Sequence, residues 1–265
     1  MPIVEALPLE HYVGLLERNE PFCYLSYGDG EWLVATGMRT GSAMQAGEVV
    51  TPWLEQEIRA SLDNPNPCIL RGTDYWIVNW REYQGGDASS FVPLGHKIDA
   101  LLEMRDIRFV DGVVWERACQ DGKLGPFLKA LQGREVYLVG NEKLYAGLGY
   151  HGAVEAYHYT WIPETNAVQY VAKILELVNS ENSFPPDHAL GATGKTPCYL
   201  LCCGLAAMPL ALKIFELVPN AAVIDLGSSL DIFANLGEQR GWRAELYADK
   251  AKYRDLIRQN LEGVI

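Results

Sequence analysis

Asp29 and Glu31, two residues apart in Tyr27-Gly28-Asp29-Gly30-Glu31, are the side chains whose type and spacing most directly offer chemistry. In extended backbone, residues i and i+2 face the same way about 6.6 Å apart, so both carboxylates could converge on one hard cation. Such a site suits a metal-bound diphosphate. The pentapeptide is equally a hairpin signal: Asp-Gly lies between Phe22-Cys23-Tyr24-Leu25 and Trp32-Leu33-Val34, with glycine supplying the positive φ of a tight turn. Both alternatives expect strand on either side of Asp29.

Three glycine-containing segments could cradle phosphate. Gly191-Ala-Thr-Gly-Lys195-Thr196 looks like part of a P-loop, but the first glycine would have to stand at position 189, which is Ala189. It also precedes a strand instead of following one, which excludes it as a nucleotide-hydrolase motif. Cys203-Gly204-Leu-Ala-Ala follows a strand and opens a helix, so it either presents backbone N–H groups to an anion or packs strand tightly against helix. Asp225-Leu-Gly-Ser-Ser is similar to the acidic glycine-rich turn of S-adenosylmethionine-dependent methyltransferases, but it lies in the last strand, not the first, and lacks the following G-x-G.

These residues need a scaffold, and the apolar pattern supplies one. Helices are expected over Leu9–Asn19, Pro52–Leu62, Leu124–Leu131, Ala167–Val178 and from Gly204 to Val218; strands over 68–72, 135–140, 157–163, 198–203 and 221–227. Residues 72–95 are rich in Trp, Tyr and Gly without a period, which reads as a long functional loop whose Tyr75, Trp76 and Trp80 could stack on a sugar. Residues 108–115 are ambiguous, and 180–195 read as a polar linker. Strands alternating with helices imply an α/β, Rossmann-like fold: one domain with a mostly parallel sheet flanked by helices and ligands at the carboxyl ends of its strands.

Composition narrows the partners. The 265 residues are 49% apolar, enough for a large core, and carry a net charge of −12. An acidic chain does not capture nucleic acid or an anionic membrane electrostatically, so neither is expected as a partner. A polyanionic ligand needs local help, from a cation or from basic side chains such as Arg71, Arg117, Lys143 and Lys195. The amino terminus lacks the pattern of a signal peptide, no run approaches a membrane span, and the expected compartment is the cytosol. Six cysteines without a C-x-x-C pair read as buried thiols, not zinc ligands or disulfides.

Taken in order, these segments resemble the GT-D type glycosyltransferases, a bacterial family first described as a domain of unknown function. Ser26-Tyr27-Gly28-Asp29-Gly30-Glu31 is similar to the family's metal-binding D-x-E segment, with Ser26 in place of its arginine. Arg117, residues 136–142 with Gly147-Leu-Gly149, Ile162-Pro163-Glu-Thr-Asn166-Ala167, Leu201-Cys-Cys-Gly204 and Ile224-Asp225-Leu-Gly227-Ser-Ser-Leu-Asp231 are similar to the segments that follow, collinear from about residue 20 to 235. Gly140 stands where the family tends to have an acid, and Ser228 where it tends to have histidine.

The resemblance implies a GT-D type fold and transfer of a hexose from a nucleotide sugar, most simply a UDP-sugar, to a glycan, glycoconjugate or other hydroxyl acceptor. It implies Mn²⁺ or Mg²⁺ held by Asp29 and Glu31, and donor contacts from Tyr27, Gly28, Arg117, Asn141, Asn166 and Gly204. Glu142, Asp225 and Asp231 are its candidates for orienting the acceptor or taking its proton. Two alternatives remain: a Rossmann-like methyltransferase or other nucleotide-using enzyme built on Asp225-Leu-Gly, and an inactive carbohydrate-binding module.

Overall fold

The computed structural model describes residues 2–38, 49–82, 88–155, 158–163, 166–181, 194–237 and 241–264. In chain order the elements are β1 (Ile3–Glu5), α1 (Leu9–Glu17), β2 (Phe22–Tyr27), α2 (Asp29–Ala35), α3 (Pro52–Asp63), β3 (Ile69–Thr73), α4 (Tyr75–Val78), α5 (Ala88–Leu102), β4 (Arg108–Asp111), α6 (Val114–Gln120) and α7 (Gly125–Leu131). There follow β5 (Val136–Gly140), α8 (Glu142–Tyr150), β6 (His158–Trp161), α9 (Val171–Glu181), β7 (Cys198–Leu201), α10 (Ala207–Leu217), β8 (Ala222–Asp225), α11 (Gly241–Ala248) and α12 (Lys250–Asn260).

All eight strands join one sheet in the order β1-β4-β3-β2-β8-β7-β5-β6, and every neighbouring pair is parallel. The amino-terminal half of the chain builds one side and the carboxyl-terminal half the other. They meet in the middle, where β2 pairs with β8 through Phe22↔Ala222, Cys23↔Val223 and Tyr24↔Ile224. A parallel sheet must be covered on both faces, which is why β7 and β8 are buried at every position.

The alternation of side chains along β2 divides the core in two. Cys23, Leu25 and Tyr27 face one layer with Trp32 of α2, Ile58 of α3, Ile98 of α5, Ile174 of α9 and Ile214 of α10. Phe22 and Tyr24 face the other, with Tyr12 of α1, Trp115 of α6, Phe127 of α7, Leu148 of α8 and Ile257 of α12. Among the described residues, no helix is long and apolar enough to cross a membrane.

Two expectations are corrected. Trp32-Leu33-Val34 is not the second strand of a hairpin but the buried stripe of α2: Gly28 is extended (φ −80°, ψ −173°), and the Glu31 carboxylate accepts its N–H at 2.9 Å, which starts a helix. Residues 72–95 are no open loop, because β3, α4, a 3-10 turn at Trp80–Glu82 and α5 occupy most of them. The carboxyl-terminal helices α11 and α12 had no expectation at all. Of the excluded P-loop-like segment and the polar linker, residues 182–193 lie outside the described residues. All six cysteines are free thiols.

Candidate functional site

The site is built at the carboxyl ends of β2 and β8, the two central neighbours. Asp225 ends β8 with its side chain buried. Its Oδ2 accepts the Ser26 N–H at 3.3 Å and its Oδ1 the Gly227 N–H at 3.0 Å. Gly227 turns the chain in the left-handed region (φ +54°), where a β-carbon is disfavoured. Burial, with the charge of Glu31 second, holds the Asp225 carboxyl well above the usual carboxylate range, against the pull of its two N–H donors. A carboxyl pair under such stress favours a proton or a cation as its companion.

The D-x-E segment reaches this place by a different geometry from the one its spacing suggests. Asp29 and Glu31 lie in the first turn of α2, where residues two apart point about 200° from each other around the axis. The extended backbone on which the expected convergence relies is therefore replaced by a helical turn. Asp29 is exposed, its Oδ1 accepting the Gly30 N–H at 2.9 Å, whereas Glu31 is half-buried and its charge acts on Asp225. Among the described residues, no group of three or more His, Cys, Asp or Glu side chains could hold a metal ion. Glu31 and Asp225 thus fit a cation that completes its shell with water and phosphate oxygens, the usual habit of Mg²⁺, and not one caged by protein.

Gly204 adopts φ +55° and opens a 3-10 turn, Gly204–Ala206, that leads into α10. A β-carbon on Gly30 would lie 3.5 Å from the Leu205 side chain, so the starts of α2 and of this turn adjoin over β8. Asn141 follows β5 and caps α8, accepting the Lys143 N–H at 2.8 Å; Glu142 is exposed in the first turn. Burial, followed by the charge of Glu142, pushes the nearby Tyr159 hydroxyl up to about 12. Gly28, Asp29, Glu31, Asp225, Gly204, Asn141 and Glu142 therefore share one edge of four neighbouring strands, β2, β8, β7 and β5.

The other sequence candidates have different neighbours. The Tyr27 ring is buried between Trp32 and Phe109, its hydroxyl bonded to Ser61, so only its backbone faces the edge. Arg117 follows β4, two strands from β2, and is paired with Asp111 at 2.6 Å. Asn166, in the left-handed region at φ 58°, accepts the Val49 N–H at 3.0 Å. Asp231 is committed to Arg243 at 3.0 Å. Arg71 spends its donors on the carbonyls of Ser61, Ile69 and Asn64, and Lys195 on that of Gln132.

Sequence reasoning missed Arg243, which is fully buried and reaches the turn after β8: its Nη2 donates to the Ser228 carbonyl at 2.6 Å and hydroxyl at 3.2 Å. Nothing in an isolated arginine on an unrecognised helix announces that role. A cavity of about 710 Å³ lies at the opposite, amino-terminal edge, between the starts of β3 and β4. Of its three arginines, Arg71, Arg105 and Arg108, the first two are already engaged, Arg105 by both oxygens of Asp63 at 2.7 and 3.0 Å.

No protein-family model matches the chain, and no curated protein matches it. Solved structures do. A structure described as the highly conserved domain of unknown function 1792, with a distinct glycosyltransferase fold, is similar over 92% of this chain and 82% of its own, with a TM-score of 0.61 and 17% identity. Its selenomethionine form gives the same values. A new glycosyltransferase of that domain from Streptococcus sanguinis is similar over 92% of this chain and 85% of its own, with a TM-score of 0.58 and 16% identity. At that identity the likeness is one of architecture: the chain has the glycosyltransferase fold that its collinear segments implied.

Proposed function

We propose that the protein is a metal-dependent glycosyltransferase, moving a hexose from a nucleotide sugar to a glycan or other hydroxyl acceptor. The observation that carries this reading is buried Asp225, held by the Ser26 and Gly227 N–H groups at the central carboxyl edge of a glycosyltransferase fold, with the charge of Glu31 acting on it. A buried carboxylate with a second carboxylate's charge acting on it is costly unless a proton or a cation joins it, and a nucleoside diphosphate brings a cation. Glu31 and Asp225 would hold Mg²⁺ or Mn²⁺ on the wall of the site, with Asp29 at its solvent side. Bound there, the ion supplies Lewis-acid stabilisation of the leaving diphosphate.

The chain's own groups do the rest. The Gly28 and Gly204 turns bring backbone close to the phosphates with no side chain in the way, and the Ser26 and Gly227 N–H groups fix the Asp225 carboxyl. Glu142, exposed at the same edge, is the group placed to take the proton of the acceptor hydroxyl. Asp231, bound to Arg243, serves as scaffold. The preference for a UDP-sugar rests on the family resemblance.

The test is release of UDP or GDP from a panel of nucleotide sugars with Mn²⁺, beside a Glu31→Gln control. Water replaces the acceptor slowly, so release above the control is expected for at least one donor. Absence of release from every donor, together with no donor binding by calorimetry, rejects the transferase and leaves a carbohydrate-binding module.

A further inference from the structure

Two large aromatic side chains stand in solvent beside the candidate site: Tyr75 is 40% exposed and Trp76 47%. They open α4, directly after β3, whose Thr73 is in register with Tyr27 at the end of β2. That junction is locked. The Thr73 hydroxyl donates to the Tyr27 carbonyl at 3.1 Å and accepts the Trp32 indole N–H at 3.0 Å. With neighbouring strands about 4.8 Å apart, α4 therefore starts at the same carboxyl edge as α2, one strand over.

The rings are held and not merely exposed. Asp74 caps α4 by accepting the Trp76 N–H at 3.0 Å, Ile77 and Val78 anchor the turn in the core, and the Tyr75 hydroxyl donates to Glu82 at 2.7 Å. Their centroids are 5.1 Å apart and their planes 87° apart, which makes a fixed corner of two ring faces. Trp80, grouped with them on sequence grounds, belongs elsewhere: its ring occupies the space that Gly95 leaves by lacking a β-carbon, and its N–H donates to Asp99 at 3.2 Å.

We propose that Tyr75 and Trp76 form the stacking platform for a neutral hexose unit of the acceptor, an inference that rests on the transferase reading. The C–H face of a pyranose is apolar and electropositive, complementary to the electron-rich face of an aromatic ring. The charges bonded to the corner select against an anionic sugar: Asp74 and Glu82 accept from Trp76 and Tyr75, while Arg81, one residue before Glu82, is paired with Asp99 at 2.7 Å and stacked on Trp80 at 4.4 Å. The carboxylates around the corner are ready acceptors for sugar hydroxyls.

Saturation-transfer NMR on the intact protein tests this, with lactose and cellobiose as neutral probes and methyl glucuronide as the anionic one. Saturable binding of a neutral probe is expected, with movement of the Trp76 indole N–H resonance in wild type. Trp76→Ala should weaken it by about 2- to 12-fold, the span of one aromatic contact, and Trp76→Phe should restore most of it. Met104→Ala, a truncation of an exposed side chain at the opposite edge, should leave it unchanged. No neutral binding, full binding by Trp76→Ala, an unmoved Trp76 resonance, or equal binding of the glucuronide each overturns the platform. Nucleotide release is read separately: saccharide binding without release rejects the transferase alone, and release without saccharide binding rejects the platform alone.

Discussion

Removing the Asp231 carboxylate should destabilise the fold far more than removing the arginine it serves. Arg243 has no exposed surface, its Nη1 lies 3.0 Å from Asp231, and its Nε has no hydrogen-bond partner. Asp231→Ala leaves that buried cation with the Glu116 carboxylate 3.8 Å away and the Ser228 oxygens. Breaking a buried pair costs about 3–5 kcal/mol, and the remaining Glu116 places this case near 3 kcal/mol. Arg243→Met deletes the unpartnered Nε together with the charge and leaves Asp231, whose side chain keeps 19% exposure, free to take water, so about 1–2 kcal/mol is expected. The double variant should be no worse than Asp231→Ala, giving non-additivity of at least about 1–2 kcal/mol. Urea denaturation at pH 7 followed by circular dichroism measures all three. Additive losses, or an Asp231→Ala cost below that of Arg243→Met, would refute the assignment of a buried cation dependent on Asp231. Because Arg243 holds Ser228, and the same turn sets the Gly227 N–H on Asp225, nucleotide release should fall in both single variants even where they remain folded.

Three further outcomes follow from the geometry. Glu31→Gln should weaken Mn²⁺-dependent UDP binding in calorimetry more than Asp29→Asn does, because Glu31 faces Asp225 and Asp29 faces solvent; equal losses would return the metal to the adjacent pair. Gly204→Ala should cost about 1–2 kcal/mol of stability through its φ of +55°, measured by denaturation, so donor affinity must be read only on the folded fraction; an unchanged midpoint would show that the turn relaxes. Tyr27→Phe should lose about 1 kcal/mol with its Ser61 contact and keep its affinity for UDP, and a large affinity loss in calorimetry would bring that side chain back into the donor site.

What the sequence revealed, and what it hid, follows from where the determining contacts lie. Val136–Gly140, Cys198–Leu201 and Ala222–Asp225 are legible because a parallel strand covered on both faces must be apolar throughout, a property of the segment itself. Asp29-Gly-Glu31 misleads because its fate depends on partners elsewhere. With β3 and β8 already flanking β2, no edge is left for a hairpin partner, and the Glu31 carboxylate caps Gly28 while its charge acts on Asp225, 194 residues on. The distance between Glu31 and Asp225 in sequence is why spacing alone does not connect them. Asp225 was read as one acid among several, and only the sheet order brings it beside β2. Arg243 is the extreme case: its importance is entirely that of a buried charge needing Asp231, Ser228 and Glu116, three partners that lie on two other elements. Local pattern thus predicts the strands that build the carboxyl edge, while the choice of which acids cooperate there is made by the crossover connections, which no local window contains.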